Sequence, residues 1–161
     1  MTGAMLRQPV SEPFQQADAP LRDFTGYALK RAFNAMQADL NATLTRFDLR
    51  MITFSALAVI ASNPGLRQSQ LAETLSIERP NLVLILDELE RRGLVTRDRT
   101  PNDRRAYALN ATLEGQRLYA GALTAVREHE MRVTAGFTDD ERTVLMTALH
   151  RIEANGNGGK A

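Results

Sequence analysis

Apolar positions recur along most of the chain at spacings of three and four, as they do in helices with one buried face. Leu29, Phe33, Met36, Leu40, Leu44 and Phe47 form such a stripe in a long helix opened by Pro20. A second helix is predicted over Thr53–Ser62 and stops at Asn63-Pro64-Gly65, a strong breaker. A short helix over Gln68–Leu75 follows. Another runs from Arg79 to Arg92, with Glu78 as its cap, Pro80 in its first turn and Gly93 at its end. The pattern then changes. Leu94–Arg97 reads as a strand, Thr100–Asp103 as a turn with proline second, and Arg104–Leu109 as the return strand. Helical spacing resumes near Thr112 and runs to about Ala135. Thr138-Asp139-Asp140-Glu141 is a capping box that opens a last helix, with Leu145, Ala148, Leu149 and Ile152 on one face.

The expected fold is therefore mainly α with one small β-hairpin. Residues 1–19 read as a loose arm, 20–154 as a single domain and 155–161 (NGNGGKA) as a flexible tail. A small central lobe covers about 53–110. The outer helices, about 20–47 and 112–154, carry apolar faces that this lobe cannot cover, and a symmetric homodimer is the simplest way to bury them.

Composition narrows the function. The chain has 161 residues, 43% hydrophobic, enough for one domain with a real core. It has no cysteine, which excludes a disulfide framework, a thiolate nucleophile and a thiol redox sensor. Only two histidines, His129 and His150, are present, on different helices and without ligand spacing, so no metal site is expected. His129 reads as a helix-surface or interface residue. No apolar run reaches the roughly 18 residues needed to span a membrane, and no signal segment opens the chain, so no membrane partner and a cytoplasmic location are expected. Net charge is only +1, which argues at first sight against nucleic acid. Yet all 20 basic residues but Lys30 and Lys160 are arginine, the side chain that grips phosphates and base edges bidentately. Coding bias explains much of that excess. It does not explain its distribution: Arg91–Arg105 holds six arginines against two aspartates, a local charge of +4.

Two short helices joined near Ser76-Ile77 make a helix-turn-helix candidate. Leu82, Ile85, Leu86 and Leu89 face Leu71 and Leu75, leaving Pro80, Asn81, Leu84, Asp87, Glu88 and Arg91 on the other side. In a major groove, Arg79 would meet phosphate or guanine, Asn81 adenine, and Val83 and Leu84 thymine methyls. Asp87 and Glu88 must then lie away from phosphates. From the hairpin, Arg97, Arg99, Arg104 and Arg105 are candidate backbone or minor-groove contacts, with Asp103 pairing an arginine to aim it.

The stretch Leu86–Arg97, with its Gly93-Leu94-Val95, followed by Asp103-Arg104-Arg105 and Leu109, resembles the MarR family of bacterial regulators. Gln70–Leu75 is similar to the family's first reading-head helix, and Ala111-Thr112-Leu113-Glu114-Gly115 to its L-T-x-x-G motif. Arg67 stands where the family often has a threonine cap, and Val83 and Leu84 where threonine and arginine are common. The resemblance implies a winged helix-turn-helix lobe with long dimerisation helices from both termini. It implies a homodimeric repressor on pseudo-palindromic double-stranded DNA, released by a small organic effector. The sequence holds no Ser/His/Asp arrangement, Gly-rich phosphate loop or metal motif, so no cofactor and no catalysis are expected. Gly26–Ala32 is similar to a first-helix pattern of members controlling aromatic-compound catabolism, which points to an aromatic acid or its thioester. Arg22 or Arg31 would meet a ligand carboxylate, and Phe24, Tyr27 and Phe54 would line an apolar crevice. The alternative is a winged-helix module that binds protein and no operator.

Overall fold

The computed structural model describes residues 17–100 and 103–158, without the side chains of residue 100, residues 103–106 and residue 157. A short 3-10 turn at Ala19–Leu21 precedes α1 (Thr25–Leu44), which runs into a second 3-10 turn at Thr45–Phe47. Then come α2 (Met51–Ser62), β1 (Leu66–Arg67), α3 (Gln68–Thr74), α4 (Arg79–Arg91), β2 (Val95–Thr100), β3 (Asp103–Ala111), α5 (Leu113–Val133) and α6 (Asp139–Asn157). No described helix is long and apolar enough to cross a membrane.

The core lies where α2, α3, α4 and the sheet meet the ends of α1 and α5. Leu44, Leu57, Ile60, Leu71, Leu86, Leu89 and Leu109 are fully buried in one cluster. Each such leucine or isoleucine contributes about 1.5–3 kcal/mol by leaving water. All four residues expected on the inner face of α4, Leu82, Ile85, Leu86 and Leu89, are buried.

Helix ends follow the local chemistry. Thr138 Oγ1 accepts from Glu141 N while Glu141 Oε2 accepts from Thr138 N, so the capping box forms in full. At α3, Arg67 makes no side-chain cap; instead Gln70 Oε1 satisfies the Arg67 N–H at 3.0 Å. Glu78 holds the N-cap position of α4 without a side-chain bond, and Gly93 ends that helix at φ +69°.

Three expectations need correction. The sheet has three strands, not two, in the order β1-β3-β2: Leu66 pairs Leu109 and Arg67 pairs Ala108. The tail expected from Asn155 is helical to Asn157, and only residues 159–161 lie outside the described residues. His129 is neither on a helix surface nor at an interface with another chain: it is 2% exposed, with its Nδ1 2.7 Å from Asp39 Oδ2, joining α5 to α1. The expected arm lies outside the described residues as far as residue 16, and so does the turn at 101–102.

The outer elements remain uncovered. No described side chain of α6 is buried, and Phe33 and Met36 of α1, Phe137 just before α6, and Val144, Leu145 and Ile152 of α6 are exposed.

Candidate nucleic-acid interface

The face of α4 turned away from the core is open to solvent. Arg79, Pro80, Asn81, Val83 and Leu84 are all exposed, Leu84 by 69%. Proline in the first turn fixes φ without wasting a donor, which suits the start of α4. Arg99 is exposed on β2. The wing residues Asp103, Arg104 and Arg105 open β3, and their side chains lie outside what is described.

The acidic residues of α4, which would repel phosphates, are each paired with an arginine of the same lobe. Asp87 and Glu90 are both held by Arg97, whose Nε lies 2.8 Å from Glu90 Oε2. Glu88 is held by Arg50 at 2.6 Å. Asp98 accepts from Asn110 Nδ2 at 2.8 Å, across the sheet. Arg97 thus departs from its expected place among the DNA contacts. Its side chain is only 18% exposed and braces β2 against α4. A second brace was not visible in the sequence. Arg92, at the end of α4, donates to the carbonyls of Asp48 (2.6 Å) and Phe47 (3.1 Å) at the α1–α2 junction. Asp48 there adopts φ +52°, which turns those carbonyls together.

The expected ligand residues divide. Arg22, Tyr27 and Arg31 come together, all donating to the Asp18 carboxylate. The Tyr27 hydroxyl, then Arg22, hold Asp18 below the usual carboxylate range. Phe24 is 63% exposed nearby in sequence. Phe54 stands elsewhere, packed on Tyr119 at 6.1 Å between ring centroids and against the core, because α2 is buried under α5. A cleft of about 540 Å³ opens beside α4 instead, lined by Arg50, Ile77, Asn81, Leu84, Ile85 and Glu88, and none of the five expected residues lines it. Among the described residues no cluster of His, Asp and Glu is arranged to hold a metal.

Comparison with known proteins places this geometry. Residues 49–107, which span α2 to the wing, match the MarR family. A putative transcriptional regulatory protein for the hcr operon of Thauera aromatica is 38% identical over 99 residues, 62% of this chain; the match spans only 60% of that protein's length. The homoprotocatechuate degradative operon repressor of Escherichia coli is 31% identical over 137 residues, 85% of this chain and 93% of that protein. Among solved structures, the transcriptional repressor CouR bound to a 23-mer DNA duplex superposes with a TM-score of 0.79 at 37% identity, covering 86% of this chain and 96% of that one. CouR from Rhodococcus jostii RHA1 bound to p-coumaroyl-CoA gives 0.75 at 32% identity, covering 82% and 93%. With the helix-turn-helix, the three-stranded wing and the long outer helices all in place, this chain belongs to the MarR family of transcriptional regulators.

Proposed function

We propose that this protein is a homodimeric, DNA-binding repressor that leaves its operator when a small aromatic acid or the thioester of one binds. The observation that carries the reading is the exposed amino-terminal half of α4, whose acidic neighbours are held back by arginines, Glu88 by Arg50 and both Asp87 and Glu90 by Arg97, which offsets two of their three charges. That leaves Arg79, Asn81, Val83 and Leu84 to meet base edges and Arg99, Arg104 and Arg105 to meet the backbone or the minor groove, with Asp103 aiming an arginine. The likeness to a repressor bound to a DNA duplex supports this assignment. The likeness to CouR from Rhodococcus jostii RHA1 holding p-coumaroyl-CoA, an aromatic acyl thioester, supports the effector class.

The dimer rests on the apolar residues left exposed on α1 and α6. A second copy would cover Phe33, Met36, Leu145 and Ile152 and set two α4 helices about one turn of DNA apart. The chain acts by binding, not by turnover, and works in the cytoplasm with its operator. The alternative, a protein-binding winged helix, leans on Asp87 and Glu88 as an exposed acidic surface; the pairing of Glu88 with Arg50 and the sharing of Arg97 by Asp87 and Glu90 weaken that basis.

The test is a titration of the DNA upstream of its own gene at several salt concentrations. Several phosphate contacts give a steep fall of affinity with salt, with a log–log slope of about −0.9 per contact. Asn81→Ala should relax base preference, and Arg104→Ala should cut affinity for all sequences. p-Coumaroyl-CoA should release the complex. Absence of affinity for that DNA sinks the reading.

A further inference from the structure

Three hydrogen-bond donors converge on one carboxylate at the start of α1. Arg22 Nε lies 3.0 Å from Asp18 Oδ1; Tyr27 Oη and Arg31 Nη1 lie 2.7 and 2.8 Å from Oδ2. The Arg31 guanidinium also sits over the Tyr27 ring, 5.9 Å from its centroid. The Asp18 side chain is 17% exposed, while more than half of each arginine side chain faces solvent. Two guanidiniums and a phenol set around one anion are the donor set that recognises a carboxylate or phosphate in a ligand. Here the chain supplies the anion itself.

The anion is also on a short leash. Asp18 is separated from α1 by the 3-10 turn at Ala19–Leu21, in which no residue is buried. It can swing away without disturbing the core, whereas Tyr27 and Arg31 are fixed on α1. We propose that Asp18 is an intramolecular stand-in for the oxyanion of the effector, and that the ligand's carboxylate or phosphate displaces it from Arg22, Tyr27 and Arg31. This rests on the reading above that the protein answers to an anionic aromatic ligand. Occupation by Asp18 lowers the apparent affinity to the intrinsic affinity multiplied by the fraction of molecules in which the site stands open. It also screens ligands: a neutral aromatic compound cannot replace a carboxylate held by two cations, and an anion can.

The test is calorimetric titration of the full chain with p-coumarate, p-coumaroyl-CoA and coenzyme A as probes. Asp18→Asn should tighten binding of at least one probe by about fivefold or more, the lower end of ordinary site coupling. Asp18→Ala should do the same, which guards against a local effect of the new amide. Arg31→Gln added to Asp18→Asn should abolish the gain. A gain for p-coumarate alone assigns the site to a carboxylate; a gain for coenzyme A and the thioester assigns it to a phosphate. Both Asp18 variants binding every probe at or below wild-type affinity overturns the proposal. So does a lack of binding to any probe by wild type and both variants, even if another compound releases the DNA. Tight, Asp18-sensitive binding that leaves the DNA complex intact would refute the function proposed above and support the stand-in.

Discussion

Gly115 lies in the first turn of α5, where a side chain has no room. A Cβ built there overlaps the carbonyl oxygen of Leu94 and sits 2.9 Å from its carbon and 3.3 Å from its Cα, all backbone atoms. The same carbonyl accepts from Thr112 N at 3.0 Å, and Thr112 Oγ1 caps α5 through Gly115 N at 3.0 Å while reaching Gly93 O at 2.7 Å. Gly115→Ala must therefore push α5 from Leu94 by roughly 1–1.5 Å, because the overlap with the carbonyl oxygen is deeper than that with its carbon and ordinary contact needs about 3.5 Å. That displacement strains the Thr112–Leu94 bond, worth about 1 kcal/mol, and the cap, worth about 1 kcal/mol. Overpacking adds about 1–3 kcal/mol. The better helix propensity of alanine returns about 1 kcal/mol. The net loss is about 2–4 kcal/mol, which for a chain of this size lowers Tm by roughly 5–15 °C. Thermal and urea unfolding at one fixed protomer concentration reads this directly. Gly121, in the same helix, is the internal control. Its Cβ would meet only the Phe47 ring edge at 3.3 Å, so Gly121→Ala should cost less than about 1 kcal/mol. Equal stabilities for the two variants would refute the close approach of α5 to Leu94.

Arg97→Ala should lower stability by no more than about 1 kcal/mol, because Asp87 and Glu90 are half exposed. The same change should reduce DNA affinity by tenfold or more in an anisotropy titration, because it bares two carboxylates beside the duplex and unpins the wing; an unchanged affinity would contradict the bracing role. Arg92→Ala removes the two bonds that tie α4 to the α1–α2 junction, and hydrogen exchange should report faster opening of residues 45–50 with little change in α3. Asp39 is held below the usual carboxylate range by the His129 hydrogen bond first and Arg132 second. Its folded pKa is depressed, so its contribution is present above the ordinary carboxylate pKa of about 4 and is lost as pH falls through the lower folded value. Asp39→Asn should therefore lower Tm near neutrality, with the gap to wild type closing as pH drops below about 4. A gap independent of pH would assign the effect to packing alone.

What was legible in the sequence was what local periodicity controls. The inner face of α4 was predicted from spacing alone, and Leu82, Ile85, Leu86 and Leu89 are buried as that spacing requires. The capping box at Thr138 was equally readable, since both partners lie within three residues. What was missed is non-local. β1 is two residues long and exists because β3, some forty residues later, offers its free edge to Leu66 and Arg67. His129 looked like a surface histidine because its partner Asp39 lies ninety residues earlier. Arg97 carried the charge of a DNA contact, and only its proximity to Asp87 and Glu90 in the folded lobe reveals that the charge is already engaged. Asp18 reads as part of the loose arm, because nothing local says that Tyr27 and Arg31, nine and thirteen residues away, reach back to it.

These non-local pairs share one consequence for regulation. α4 is fastened along its length: to the wing by Arg97, to the start of α2 by Arg50, and to the end of α1 by Arg92. The core beneath it is closed by fully buried leucines that leave no slack for a rotation of α4 alone. A signal arriving at α1 therefore has no soft joint inside the lobe at which to dissipate. It moves the helix-turn-helix and the wing together as one body, and the quantity that changes is the separation of the two α4 helices in a dimer. DNA grooves fix that separation, so a modest displacement at the base of α1 suffices to shift the population toward a spacing that no longer fits. The Asp18 cluster stands at the far end of the same helix, which is tied to the lobe by its junction with α2 and, through Asp39, by α5, and a ligand that differentiates the two states there needs no contact with α4 to alter what α4 reads.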